Sequence, residues 1–333
     1  MIKIEDFGAK AKLYRLENKA GLQVTLTDFG ARIVDILVPV EKDGSLRNIS
    51  LSAQSDTHYL ATDAYPGSTI IPVAGRISEA KTKIAGKVYH FTENEPNRTL
   101  HGGVDTANEQ YWQTDLDQEK NRVIFSIELA DGFNGFPGNV KVQAMYSLTD
   151  ENELLVDYQA ISDADTIFNP TNHVYFNLTG DFNQSIANHQ VQIAANHFAP
   201  LGSDNLPTGV LEDVEGTPFD FRNGGTFEQG FSSDHPQNIL VKGYDHPWLV
   251  DKTGVVAEVR SPDQSVSLRV RTDQDAVVIY TYNFPVEELA TFHGAFSMEC
   301  QALPNACNIE GFGSIILEKN KEFTSHTSYQ LNW

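Results

Sequence analysis

Five side chains in this sequence can move protons or hold a polar ligand: Arg76, His101, His173, Asp245 and Glu299. They are scattered along the chain, so each has a structural reading beside the chemical one. His173 lies in Asn169-Pro-Thr-Asn-His-Val-Tyr-Phe-Asn-Leu178. Strand alternation puts Thr171, His173, Tyr175 and Asn177 on one face and Asn172, Val174, Phe176 and Leu178 on the other. The second face reads as core. The first suits a polar cleft, although a buried histidine satisfied by neighbouring hydroxyls and amides gives the same pattern. Glu299 sits between Met298 and Cys300, and alternation turns it with Ser297 and Gln301 to the opposite face. A carboxylate so placed is an acid–base group or half of a salt bridge.

The other three have weaker settings. Arg76 follows Gly75 and carries a fork able to bind two oxygens at once, or is a surface residue after a turn. His101 precedes Gly102 and Gly103, which either bend the chain or let it approach a ligand. Asp245, in Lys242-Gly-Tyr-Asp-His-Pro-Trp248, is a turn residue or an acceptor for the hydroxyls of a polar ligand beside aromatic rings.

The elements that must position these residues are strands. Arg122–Leu129 mixes β-branched and aromatic residues, and Val140, Val142, Ala144 and Val266, Leu268, Val270 alternate with polar neighbours. Val277–Phe284 is a near-continuous apolar run, as in a strand covered on both faces. Turn signals such as Pro66-Gly67, Asp131-Gly132, Pro137-Gly138 and Asn223-Gly-Gly225 punctuate the chain. Helical periodicity is nearly absent, and only Pro285–Thr291 suggests a short helix. These features predict an all-β fold, a large antiparallel β-sandwich with few short helices, in one domain spanning 1–333. The segment from Gly202 to Gly230 reads as a long packed loop within that domain.

Composition narrows the function. Lys and Arg total 24 against 45 Asp and Glu, a net charge of −21, which disfavours nucleic acid and anionic membrane surfaces as partners. The first ten residues have no apolar h-region, no stretch has the ~20 apolar residues of a membrane helix, and the two cysteines, Cys300 and Cys307, are no disulfide framework. A cytoplasmic protein is expected. The ten histidines include no H-E-x-x-H, and there is no C-x-x-C, EF-hand, G-x-G-x-x-G, P-loop or G-x-S-x-G. Neither metal nor cofactor is expected, although His101, His173 and Glu299 can in principle converge on zinc.

Taken together, the segments resemble the aldose 1-epimerase (galactose mutarotase) family across essentially the whole chain. The specific match is Asn169-x-Thr-Asn-His-x-Tyr-Phe-Asn-Leu178. In order, Gly75-Arg76-Ile77, Thr99-Leu-His-Gly-Gly103, Asp131-Gly-x-x-Gly-Phe-Pro-Gly138, Gly243-Tyr-Asp-His246, Tyr280-Thr-x-Asn-Phe284 and Glu299 in M-E-C-Q support it. The resemblance implies a β-supersandwich with an open cleft, Glu299 as general base, His173 as general acid, and Arg76, His101 and Asp245 as substrate-binding residues. Three positions depart from the family's pattern: Gly75 stands where an Asn is usual, Val278 where a Gln helps bind the sugar, and Tyr282 where a Gly is usual.

Mutarotation opens and recloses a sugar ring, with one proton removed and one supplied, so a carboxylate and an imidazolium suffice. Ordinary values of about 4.3 and 6.5 let both required charge states coexist most easily at mildly acid pH. The implied substrate is a free aldohexose such as galactose or glucose, handled by a monomer or homodimer. Rival readings are a pentose, disaccharide or hexose 6-phosphate substrate, a non-catalytic carbohydrate-binding protein, and a glycoside hydrolase using Glu299 with Asp245.

Overall fold

A computed structural model of the chain describes residues 1–40, 44–62 and 65–333. The alternating runs form strands: Arg122–Leu129, Val140–Leu148 and Ser267–Thr272 lie in a nine-stranded sheet. That sheet begins at Gln113–Asp117, passes through Glu153–Ser162 and the long C-terminal strand Glu322–Asn332, and ends at Gly225–Thr226. A six-stranded sheet runs Tyr175–Phe176, Phe296–Gln301, Ala276–Tyr280, Asp245–Val250, Ala195–Phe198, Glu212–Asp213. An N-terminal five-stranded meander covers residues Lys3–Phe7 through Arg47–Asn48. The ladders in all of these are antiparallel.

The two larger sheets pack face to face because each has one apolar side. Val123, Val156 and Leu268 of one and Phe176, Ile279 and Met298 of the other belong to a single buried cluster. The Tyr329 ring packs tilted against Phe176, with centroids 5.6 Å apart, and its hydroxyl donates to the Met298 carbonyl at 3.3 Å. Leu16, Val24 and Ile36 of the meander join the same cluster.

Among the described residues the α-helices are short: Asp56–Ala61, Glu228–Phe231 and Pro236–Val241. Pro285–Thr291 is not one of them. Leu289 and Ala290 both donate to the Val286 carbonyl, and the Thr291 amide then turns away to the Phe182 carbonyl, so one turn forms and stops. The apolar run Val277–Phe284 is also shorter as a strand than its pattern suggests, ending at Tyr280. Beyond it, the Thr281 hydroxyl accepts from the Tyr244 amide at 2.9 Å and the Asn283 amide donates to the Tyr244 carbonyl at 2.8 Å. Side chains there replace the ladder, and Tyr282 takes a φ of 50°. The Gly202–Gly230 segment is packed, as read: Phe219, Phe221 and Phe227 are buried, and Phe219 stacks on Phe198 at 3.9 Å.

Behind the His173 segment lies a buried polar network. The Tyr146 hydroxyl meets Thr69 Oγ1 at 2.8 Å, the Ala31 carbonyl at 2.8 Å and Asn172 Nδ2 at 3.1 Å. Asn172 also donates to the Gly67 carbonyl at 2.9 Å. Asn172 thus lies on the core side, as alternation requires, but as a hydrogen-bonded anchor joining three parts of the chain. No helix among the described residues is long and apolar enough to cross a membrane, and Cys300 and Cys307 are both free. Replacing Tyr146 by Phe strands buried partners and should lower unfolding stability by about 1–3 kcal/mol in urea denaturation; an unchanged midpoint would discount the network.

Candidate active site

The cleft floor is the outward face of the six-stranded sheet. Register aligns Asp245, Tyr280, Ser297 and Tyr175 in one row across four strands. The next row holds Pro247, Val278 and Glu299. Met298 and Cys300, on the reverse face, are in the core, so burying the sandwich aims Glu299 into the cleft. His173 arrives from the Thr171–Asn172 strand, its amide donating to the Ser68 carbonyl and its carbonyl accepting from the Gly67 amide. These bonds set His173 Nε2 3.4 Å from Glu299 Oε1. Both residues are 4% exposed.

Burial pushes the Glu299 carboxyl up to about 8, against the lowering effects of the Ser297 hydroxyl, 3.3 Å away, and of Arg76. Burial likewise raises Asp245 to about 7, with Arg76 opposing. His101 is held well below the ordinary histidine range by burial, then by His173 and Arg76. Its Nδ1 accepts from the Gly75 amide at 3.2 Å, while its own amide donates to the Gly75 carbonyl at 3.0 Å. His101 is therefore neutral, with the proton on Nε2.

All five residues predicted from sequence line one cleft of about 430 Å³. His101, His173 and Glu299 offer ligating atoms within 4.8 Å of one another, the convergence a zinc ion would need. The Gly75–His101 bond opposes that use, because it leaves His101 Nε2 a donor rather than a free lone pair.

Not every predicted neighbour reaches the cleft. The Thr171 hydroxyl donates to the Cys300 carbonyl at 3.0 Å, and Asn177 Nδ2 donates to the Gly294 carbonyl at 2.9 Å. Both anchor backbone, because the chain leaves the ladder between Asn172 and Tyr175 and the alternation breaks. The Asp131–Gly138 motif is a buttress: Asn134 Nδ2 donates to the Val104 carbonyl at 2.8 Å, behind the His101 loop. A Cβ on Gly102 would meet the Ile71 carbonyl oxygen at 2.8 Å, so that loop requires glycine for close approach.

Tertiary contact adds residues that had no local signal. Tyr65 lies 5.0 Å from the His101 ring and 5.7 Å from the His173 ring, centroid to centroid. Glu95 accepts from Arg76 Nε at 2.8 Å and Nη2 at 3.1 Å, a bidentate clamp, and also from Arg98 Nε at 2.6 Å. Arg76 Nη1 is left facing Asp245 at 3.8 Å. Burial works against the Arg76 charge, but Asp245 and Glu95 more than offset it. The opposite rim, Leu201, Asn205 and Pro207, is tied to the same groups. Arg98 donates to the Asp204 carbonyl at 2.6 Å, and Gln237 holds both polar groups of the Leu201 backbone, at 2.7 and 3.0 Å. Gln237 Oε1 also meets His246 Nε2 at 3.0 Å, and His246 Nδ1 accepts from the Asp245 amide at 3.2 Å. The contacts close into a ring around the cleft mouth.

The family profile described as Aldose 1-epimerase matches residues 12–330. The aldose 1-epimerase of Escherichia coli (strain K12) is 33% identical over 336 residues, covering 97% of this chain and 96% of its own. The galactose mutarotase of Rattus norvegicus is 33% identical over 318 residues, covering 92% of this chain and 90% of its own. Among solved structures, galactose 1-epimerase from Lactobacillus acidophilus NCFM superposes with a TM-score of 0.88 at 28% identity, covering 100% of this chain and 98% of that one.

The raised Glu299 value has a stability consequence. Taking 4.5 for the unfolded chain and about 8 for the folded one, the folded protein holds a proton that the unfolded one has lost across that window. Stability from this group is complete below pH 4.5 and is lost as pH rises through about 8. Glu299→Gln should therefore gain urea-midpoint stability relative to wild type on going from pH 5 to about 8.5. A difference between the two proteins that does not change with pH would contradict the burial account.

Proposed function

The chain belongs to the aldose 1-epimerase family and is an isomerase, and we propose that it interconverts the α and β anomers of a free aldohexose such as galactose or glucose. The observation that carries the reading is the approach of His173 Nε2 to Glu299 Oε1, 3.4 Å apart and shielded from water in a cleft. Glu299 takes the proton from the C1 hydroxyl while His173 gives one to the ring oxygen. The C1–O5 bond breaks, the open aldehyde turns about C1–C2, and closure reverses both transfers. No proton is consumed.

The pair carries one proton in its working form. With it on Glu299 the histidine is neutral, and with it on His173 an ion pair results, so the two forms have the same total charge. The second form starts ring opening. A carboxylate whose proton affinity lies near neutrality is a stronger base than an exposed one, which suits it to a weakly acidic sugar hydroxyl. Arg76 and His101 Nε2–H are the donors for sugar oxygens, and Asp245 accepts from hydroxyls further round the ring. The shared buried cluster, which draws on all three large sheets, supports reading 1–333 as one domain.

Glu299→Gln and His173→Asn should each lower catalysed mutarotation of freshly dissolved α-glucose or α-galactose by about 10²- to 10⁴-fold in polarimetry. A Glu299→Gln rate close to wild type would remove this residue from the mechanism. After subtraction of the hydroxide-catalysed background, kcat/KM should fall on the alkaline side near pH 8 as the pair loses its shared proton. A rate still rising above pH 9 would show that proton to be irrelevant.

A further inference from the structure

Gln301 ends the strand Phe296–Gln301 on the same face as Glu299, two residues further along. At about 3.4 Å per residue that is nearly 7 Å, or about one pyranose ring from the carboxylate. Gln301 lines the cleft and is 1% exposed, yet its Oε1 has no hydrogen-bond partner among the described residues. Buried amides almost always find partners, and one left unpaired is destabilising. The neighbouring chain supplies space instead. Gly75 has no side chain, and a Cβ there would lie 3.6 Å from Gln301 Nε2 and 3.1 Å from Pro304 Cβ. A larger residue in that place would crowd the Nε2 end of the amide, so Gly75 leaves room beside it at the cleft wall. The last torsion of a glutamine is soft, so either end of the amide can be presented to a ligand.

We propose that Gln301 is a sugar-binding residue, one that hydrogen-bonds a ring hydroxyl other than the one at C1 and so helps select the aldose. The inference rests on the aldose reading above. The amide oxygen has no partner within the described residues because its partner is a hydroxyl of the substrate. That arrangement makes the residue costly for the fold and useful for discrimination, since an analogue lacking the hydroxyl leaves the amide unpaired.

The test is Gln301→Met, which conserves volume and removes the amide. The urea midpoint should be equal to or above that of wild type, because an unpaired buried polar group has been removed. KM for the preferred hexose should rise by about 2- to 10-fold, the worth of one neutral hydrogen bond, with kcat changed by less than about 2-fold. Across a panel of monodeoxy hexoses, the one lacking the contacted hydroxyl should give the same KM with both proteins. A lower urea midpoint with unchanged KM marks Gln301 as structural and overturns the proposal, as does a KM rise of equal size for every deoxy analogue. Wild-type turnover in the same assay separates these results from a failure of the aldose reading, which would silence the wild type as well.

Discussion

A carboxyl and an imidazole 3.4 Å apart and almost sealed from water form an expensive arrangement, and the rest of the molecule is built around it. Glu299 gains its high proton affinity from burial, and burial comes from the packing of two sheets. The same strand that turns Glu299 outward turns Met298 and Cys300 into the core. Its cross-strand neighbour is Val278, which brings no hydrogen bond to the carboxylate. Rings of Tyr65 and Tyr175 flank His173, the nearer centroid at 4.9 Å. Stability given up at this point is recovered in the continuous apolar core behind it, the usual division between a site and its scaffold.

Around this centre the polar ring keeps the cleft-facing groups from collapsing onto one another. Arg76 would pair closely with Asp245 or Glu299 if it were free to do so. Glu95 holds the Nε–Nη2 edge of the guanidinium through two hydrogen bonds, and the arginine approaches Asp245 only to 3.8 Å. The far rim is fixed from both ends, by Arg98 on Asp204 and by Gln237 on Leu201. His246 links Gln237 to the Asp245 backbone, so hydrogen bonds join the rim to the strand that carries the carboxylate. Preorganisation of this kind is carried by residues that need not touch the substrate.

Much of the architecture was legible in the chain because period-two alternation is a local property. Arg122–Leu129 begins and ends as a strand where its pattern does. The face assignment of Glu299 and Gln301 followed from the same rule. The rule failed where side chains took over backbone bonds: at Thr281 and Asn283, which end a strand early, and at Asn172–Tyr175, where the chain leaves the ladder. For that reason Thr171 and Asn177 bond backbone carbonyls instead of facing the cleft with His173. The single turn at Val286 failed as a helix because the chain's next amide was bound elsewhere.

The sequence by itself determined the sheet-rich class, the identity of the five cleft residues through the resemblance their segments carry, and which side of its strand Glu299 faces. All of these follow from residue type, order and short-range periodicity. Only the tertiary structure decided that His173 meets Glu299, that His101 is neutral, that Glu95 clamps Arg76, and that Gln301 is left unpaired. Those facts depend on contacts between residues far apart in the chain, such as Glu95 with Arg76 and His173 with Glu299. They depend as well on how much water packing excludes, which no local pattern encodes.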